Sequence, residues 1–442
     1  MSRDNIHFIG IGGIGVSSLA RYYRAMGFLV SGSDIAESEL TQELAREGIQ
    51  IVVGAHAKKN IPLGTTKVIY TAALNPKNTE LREAKRQKIP SLSYAQALGG
   101  LTKEYKTITI SGSHGKSTTT ALIALILQEG YLDPTVIIGT KLKEFGNSNF
   151  RSGKSHYLVL EADEWNKSFL NYFPRVAVIT NIDAEHLDTY KNINDVKKTF
   201  LAYLKKVPKK GVVIANRDDA NLHDVATKSK KKVIWYSIKD PEAAVIRHHL
   251  KIPGEHNLSN ALAALKTARF LGISENIIIK ALSHYRGAWR RFEFQGLVKG
   301  ANIYSDYAHH PREIVSTIAA ARSKFPLQRV WCVFQPHQHE RLLHLWNDFV
   351  NAFDMADRIV LLPVYEVAGR EKNGTKKLVN SRKLSKELLK HGKNVVYCAS
   401  PTSAKKVINE QVKKGDIVLV MGAGDIYKLA LELIQTKKRV TA

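Results

Sequence analysis

The chain has 442 residues, with 66 Lys and Arg against 40 Asp and Glu, giving a formal charge of +26 and a pI near 9.8. At roughly 100–200 residues per domain the length calls for several domains, and 44% hydrophobic with 24% charged residues excludes a disordered chain. The two cysteines, Cys332 and Cys398, lie in apolar strand-like runs, which excludes a disulfide framework or a cysteine-built zinc site and fits a reducing compartment.

No run approaches the roughly 18–20 apolar residues that cross a bilayer, and the first residues carry no apolar core before a cleavage site, so the expectation is a cytoplasmic protein with no membrane partner. The positive surplus would suit nucleic acid, because lysines that neutralise phosphates release counterions. Yet the lysines are scattered as short runs (Lys58-Lys59, Lys205-Lys206, Lys230-Lys231-Lys232) without interleaved aromatics. They read as solvated surface, and no nucleic-acid partner is expected.

In chain order, the segments NIHFIGIG, GVSSLARYYRAMG, FLVSGSD, ELTQELAREG, IQIVVG and KVIYTAA alternate strand and helix patterns, as βαβ units of a parallel sheet do. A second unit opens at TITISGSHGKSTTTALIALILQEG and continues through the apolar strands HYLVLEADE, PRVAVITNID and KGVVIANRDD. Beyond RRFEFQG, the strands ANIYSDY, RVWCVFQPH, RIVLLPVYE, NVVYCAS and DIVLVMGAG alternate with further helices. The fold class is therefore α/β, in three consecutive domains.

Gly112-Ser113-His114-Gly115-Lys116-Ser117 lies between a strand and a helix, the setting of a phosphate-binding loop, where backbone N–H groups and the helix dipole hold phosphate oxygens. Lys116 would reach the β/γ-phosphates and Ser117 would ligate Mg²⁺. The loop is shorter than the usual one, with two residues between its glycines. Gly10, Gly12, Gly13 and Gly15 follow the first strand, with Asp34 ending the second. A lone fingerprint of this kind suits a dinucleotide or the diphosphate of a nucleotide sugar equally, and the ATP loop downstream favours a ligase or kinase over a dehydrogenase. Glu161 and His186 stand at the ends of two apolar strands and are candidate Mg²⁺ ligands. Asn257 and Asn260 share one face of a helix's first turn beside His256, where they can read an adenine edge. The strand-end segments Ser305–Pro311 and Phe334–Arg341 hold four of the 16 histidines.

Taken together, FIGIGGIGVSSLA, SGSHGKSTTT, EADE with TNIDAEHLDTY, GEHNLSNALAA, RRFEFQG, DYAHHP, FQPH and MGAGDI resemble the Mur ligases over essentially the whole chain. The resemblance implies a Rossmann-like UDP-sugar domain over residues 1–104, a central P-loop ATP-binding domain over 105–288 and a C-terminal Rossmann-like amino-acid domain over 289–442. It is nearest to the members that join L-alanine to UDP-N-acetylmuramate in peptidoglycan synthesis. The rivals are the members that recycle a preformed tripeptide onto the same UDP-sugar and, from another class, a basic nucleic-acid-binding ATPase.

Carried over by position, the resemblance implies ATP contacts from Gly112, Ser113, His114, Gly115, Lys116, Ser117, Thr118, His256, Asn257, Asn260, Arg291 and Asp306, and Mg²⁺ ligands at Ser117, Glu161 and His186. It implies UDP-sugar contacts from Gly10, Gly12, Gly13, Gly15, Asp34, Asn149 and Arg151, and an amino-acid side lined by Tyr307, His309, His337 and Arg341. Lys116, His186, Arg291 and His309 are the implied catalytic groups. After FQPH, where the family usually carries Arg or Leu, an aromatic and Ser/Thr-Arg, this chain has Gln338-His339-Glu340-Arg341, which leaves carboxylate recognition mainly to Arg341. A monomer or homodimer is expected.

Overall fold

The computed structural model describes residues 4–185, 189–366 and 374–435. Its strands form three sheets. The first holds β1 (Asn5–Ile9), β2 (Leu29–Asp34), β3 (Gln50–Val53), β4 (Thr65–Tyr70) and β5 (Ser91–Ser93), all parallel, in the order β3-β2-β1-β4-β5. The second holds β6 (Lys106–Ser111), β7 (Thr135–Leu142), β8 (Ser148–Arg151), β9 (Tyr157–Glu161), β10 (Val176–Ile179), β11 (Val212–Asn216) and β12 (Val233–Tyr236) in the order β12-β11-β10-β6-β9-β7-β8, with only β8 antiparallel to its neighbour. The third holds β13 (Glu293–Val298), β14 (Ala301–Asp306), β15 (Val330–Phe334), β16 (Arg358–Leu361), β17 (Val395–Tyr397) and β18 (Ile417–Met421) in the order β13-β14-β18-β15-β16-β17, with β13 antiparallel.

The chain divides into two compact units, Met1–Leu250 with Ser259–Tyr285 and Lys251–Leu258 with Arg286–Ala442. The first two sheets thus share one unit. Each central strand is a run of β-branched and apolar residues because helices cover both faces; β6, β10 and β18 are almost wholly buried. Strand order reverses at β1 in the first sheet and at β6 in the second, and open α/β sheets bind ligands beyond the strand ends at such points. The helix Lys116–Glu129 that follows β6 is buried over most of its length, from Ser117 to Ala124 and at Ile126 and Leu127.

The strands β5, β7, β8, β12 and β13 escape the sequence reading, several of them for a physical reason. β5 has three residues, β8 is the polar edge SNFR, and β7 carries Gly139 and Lys141 among its apolar positions. No helix among the described residues is long and apolar enough to cross a membrane.

One carboxylate ties the first sheet together. Glu80, fully buried, accepts from Ser33 Oγ (2.6 Å) and Asn60 Nδ2 (2.7 Å) and faces His56 Nδ1 (2.9 Å) and His7 Nε2 (3.3 Å). Burial alone would raise its pKa, but the hydrogen bonds from His7, Ser33, His56 and Asn60 outweigh it and hold the group at about 2. A carboxyl lowered this far stabilises the fold by roughly 3 kcal/mol at neutral pH. The contribution is present above the unfolded-state value and disappears as pH falls through the folded one. Glu80→Gln is therefore expected to be less stable by about that amount at pH 7, with the gap closing between roughly pH 4.5 and 2. Denaturant melts across that range check this, and a gap independent of pH refutes it.

Candidate active site

The loop after β6 is shaped by its two outer glycines. Gly112 has φ +129°, and a Cβ there would lie 2.2 Å from Thr180 Oγ1 and 2.9 Å from the Asn181 carbonyl. Gly115 has φ +84°, and a Cβ would lie 2.4 Å from Asn260 Oδ1. No other residue type fits either position. The chain beyond β10 clamps the turn: Asn181 Oδ1 accepts from His114 N (2.8 Å), Thr180 Oγ1 and Asn181 Nδ2 donate to the His114 carbonyl (2.6 and 3.0 Å), and Asp183 N donates to Ser113 Oγ (2.8 Å). The helix Lys116–Glu129 then starts at Gly115 with no side-chain cap, which leaves the geometry of an anion site.

Lys116 lies inside this turn, its side chain 14% exposed. Its Nζ donates to the Gly112 carbonyl (2.7 Å) and to both oxygens of Glu164 (3.0 and 3.1 Å), with Asp163 at 3.8 Å. Burial alone would lower the ammonium's pKa, but Glu164, then Asp163 and Glu161, hold it above the ordinary lysine value, so it carries a full charge at any physiological pH. Ser117 Oγ donates to Glu161 Oε1 (3.0 Å), and Gly139 N donates to Glu161 Oε2 (2.8 Å). The Ser117 hydroxyl and the Glu161 carboxylate are paired oxygen donors of the kind a hard cation takes. His186 lies outside the described residues.

The glycine turn after β1 is held from β2. The Ser33 carbonyl accepts from Gly10 N and Ile11 N (2.8 and 3.1 Å), and Asp34 Oδ2 accepts from Gly12 N (2.8 Å). Asp34 thus shapes the turn with one oxygen. A Cβ on Gly15 would lie 3.0 Å from the Tyr94 hydroxyl. Gly13 opens the helix Ile14–Ala25, again without a side-chain cap.

Two residues expected to contact the UDP-sugar have protein partners in this structure. Asn149 is completely buried: its Nδ2 donates to the Ile14 carbonyl (2.6 Å) and to Ser17 Oγ (2.9 Å), and its Oδ1 accepts from Arg21 (2.5 Å). Arg151 pairs with Asp133 (2.6 Å) and the Pro134 carbonyl (2.8 Å), opposite Val136 near the start of β7.

In the second unit, Asn257 Nδ2 donates to the Pro253 carbonyl (2.6 Å), and the His256 ring packs where a Cβ on Gly254 would stand. Asp306 ends β14, buried; its carboxylate accepts from Phe292 N (2.7 Å) and Ala308 N (2.8 Å), and burial raises its pKa against the pull of Arg291. Arg291 lies over the Tyr307 ring at 5.0 Å. His310 caps the helix Pro311–Lys324, whose Glu313 accepts from the backbone of His309 and His310. His309 Nδ1 stands 3.2 Å from Glu313, and its ring lies 5.8 Å from that of His337. His337 stacks on Tyr365 at 5.6 Å, and Arg341 Nη1 reaches His337 Nδ1 at 3.3 Å. Tyr307, His309, His337 and Arg341 are thus gathered in one cluster. The unusual His339 and Glu340 turn away from it: His339 is buried against the Val379 carbonyl (3.0 Å), and Glu340 accepts from Thr375 (2.7 Å).

Three domain descriptions match the chain in order: "Mur ligase family, catalytic domain" over residues 5–106, "Mur ligase middle domain" over 110–268 and "Mur ligase, glutamate ligase domain" over 290–424. The chain belongs to the Mur ligase family. UDP-N-acetylmuramate–L-alanine ligases of Caldanaerobacter subterraneus and Clostridium acetobutylicum are 38% and 39% identical to it, covering 98% and 96% of both chains respectively. The crystal structure of UDP-N-acetylmuramate-alanine ligase MurC from Thermotoga maritima superposes with a TM-score of 0.82 at 26% identity, over 98% of each chain. A murein peptide ligase from Psychrobacter arcticus shares the fold at 22% identity, with a TM-score of 0.71 over 99% of this chain and 100% of that one.

Sequence reasoning missed several groups of this Mur ligase site. Glu164 stands in the same EADE run as Glu161 but carries the ion pair to Lys116, and Asn181 and Thr180 brace the loop. Arg290, next to Arg291, is buried against the rings of Trp289, Tyr307 and Tyr427 and donates to the Gly422 carbonyl. The paired arginines of RRFEFQG were the only signal for it. Because Gly112 has no room for a methyl group, Gly112→Ala is expected to weaken ATP binding by at least about tenfold. Calorimetric titration of ATP into the variant checks this, and an unchanged affinity would show that the loop does not hold the phosphates.

Proposed function

We propose that the protein is an ATP-dependent ligase of the cytoplasm that joins L-alanine to the lactyl carboxylate of UDP-N-acetylmuramate, a step in peptidoglycan precursor synthesis. The observation that carries this reading is the charged Lys116 ammonium in a two-glycine turn beside the Ser117–Glu161 pair. The alanine ligases at 38% identity over nearly the whole chain support the choice of amino acid over the tripeptide-recycling alternative.

A carboxylate is a poor electrophile until phosphate becomes its leaving group, so the reaction divides into two transfers. A lactyl oxygen attacks the γ-phosphorus of ATP, releasing ADP and forming an acyl phosphate. The alanine nitrogen then attacks the acyl carbon, phosphate leaves, and the nitrogen's proton passes to a base. Both steps depend chiefly on positioning and on fixed charge near the phosphoryl oxygens. Lys116 supplies that charge, the loop Gly112–Thr118 holds the phosphates through the amides of Gly115–Thr118, and Asn260 with His256 and Asn257 receives the adenine. Ser117 and Glu161 would hold Mg²⁺ as a hard-cation pair; bound there, Mg²⁺ neutralises phosphate charge. Arg291 and Asp306 contribute to nucleotide binding. Gly10, Gly12, Gly13, Gly15 and Asp34 take the UDP-sugar, and Tyr307, His309, His337 and Arg341 form the amino-acid side, with Arg341 toward the carboxylate. These roles correspond to a division at residues 1–104, 105–288 and 289–442, in a monomer or homodimer.

Phosphate release with ATP, UDP-N-acetylmuramate and a panel of amino acids tests the proposal. Turnover with L-alanine is expected; turnover with a tripeptide and none with L-alanine overturns it. Lys116→Ala is expected to lose at least about a hundredfold in kcat because the ammonium supplies the charge beside the phosphoryl oxygens, and to melt at a lower temperature because the buried Glu164 loses its partner. Near-normal phosphate release by that variant would show that the lysine is misassigned.

A further inference from the structure

The glycine turn after β1 and the Glu161 carboxylate belong to different sheets of the same unit, and a continuous polar chain joins them. Lys141 on β7 is only 5% exposed, and its Nζ donates to Glu39 (2.5 Å) and Glu43 (3.1 Å) on the helix Glu39–Arg46 of the first domain. Glu43 also accepts from Arg21 Nη2 (3.2 Å), whose Nε and Nη2 reach Glu47 (2.9 and 2.6 Å). Arg21 Nη1 donates to Asn149 of β8, and Asn149 donates to the Ile14 carbonyl, in the first turn of the helix that the glycine turn opens. At the other end, Gly139, two residues from Lys141 on β7, donates its N–H to Glu161 Oε2.

We propose that Lys141 and Asn149 are positioning residues: through the β7–β8 hairpin they set the glycine turn, and the sugar it holds, at a fixed separation from the Ser117–Glu161 pair. This rests on the ligase reading for its substrates, while the lock itself rests on geometry alone. Two features argue against simple glue. The cations Lys141 and Arg21 are buried while their acids Glu39, Glu43 and Glu47 are partly exposed, and the desolvation of the cations offsets much of the attraction, so apolar packing would hold two domains as well. Its directional hydrogen bonds do what packing does not, fixing register at both ends. Asn149 is moreover spent on the carbonyl of Ile14, the first residue of the helix that follows the glycine turn.

The test uses the full chain with Lys141→Met, Lys141→Arg and the milder Glu39→Gln/Glu43→Gln pair, which carries the test if Lys141→Met fails to fold. For Lys141→Met we expect kcat for UDP-N-acetylmuramate-dependent phosphate release to fall about tenfold or more, ATP affinity to stay within about twofold, and Lys141→Arg to recover most of the rate. Hydrogen exchange of the amides at residues 12–18 is expected to speed up about tenfold in Lys141→Met. An unchanged kcat, or a loss matched by equal loss of ATP affinity, overturns the positioning role. Unchanged exchange overturns the lock. If the wild type shows no turnover with the UDP-sugar, the ligase reading fails, and exchange still decides the lock.

Discussion

The Lys116 ammonium is the constraint around which the central sheet is arranged. A charge with 14% of its side chain in water is tolerable only with partners, and the structure supplies them from three directions: the Gly112 carbonyl below, Glu164 and Asp163 from the segment after β9, and Glu161 at that strand's end. Three carboxylates in one place would repel each other without that cation, and together, Glu164 most, they hold the lysine above its ordinary pKa against the cost of burial. A polyphosphate entering such a turn meets a cation already ordered, and little reorganisation remains to be done as charge moves in the reaction.

This arrangement depends on sheet order. β6 stands between β10 and β9, so the loop after β6 is flanked by two strand ends that reverse direction of travel across the sheet. β10 delivers Thr180 and Asn181 to the back of the loop, and β9 delivers Glu161 to its front. The third sheet applies the same logic to another cluster. β14 delivers Asp306 and Tyr307, β15 leads into His337, and the Gly422 carbonyl after the intervening β18 receives Arg290.

The charge of +26 divides accordingly. The buried cations Arg21, Lys116, Lys141 and Arg290 are each surrounded by carboxylates, carbonyls or aromatic faces and add little to the external field. The remaining lysines stand largely on the surface in short runs, several paired with acids, as Lys197 and Lys228 are with Asp224. A diffuse field of that kind speeds the arrival of polyanions such as nucleotides without selecting among them.

The parts legible in the sequence were those whose chemistry is local. Gly112, Gly115, Lys116 and Ser117 fall within a few residues and open a helix, and the strand ends carrying Glu161, Asp306 and His337 are marked by the apolar runs before them. Three α/β sheets follow from the same runs. The partners that give those groups their geometry were not legible, because they arrive from distant strands: Glu164 is 48 positions from Lys116, Asn181 67 from His114 and Asn149 128 from Arg21. Asn149 shows the consequence most clearly. Its motif suggested a ligand contact, yet whether an asparagine faces a ligand or a helix carbonyl depends on which way an edge strand of alternating register is turned. That is decided by the pairing of β8 with β7 and by the helix Ile14–Ala25 lying against it, and nothing in the run SNFR encodes either.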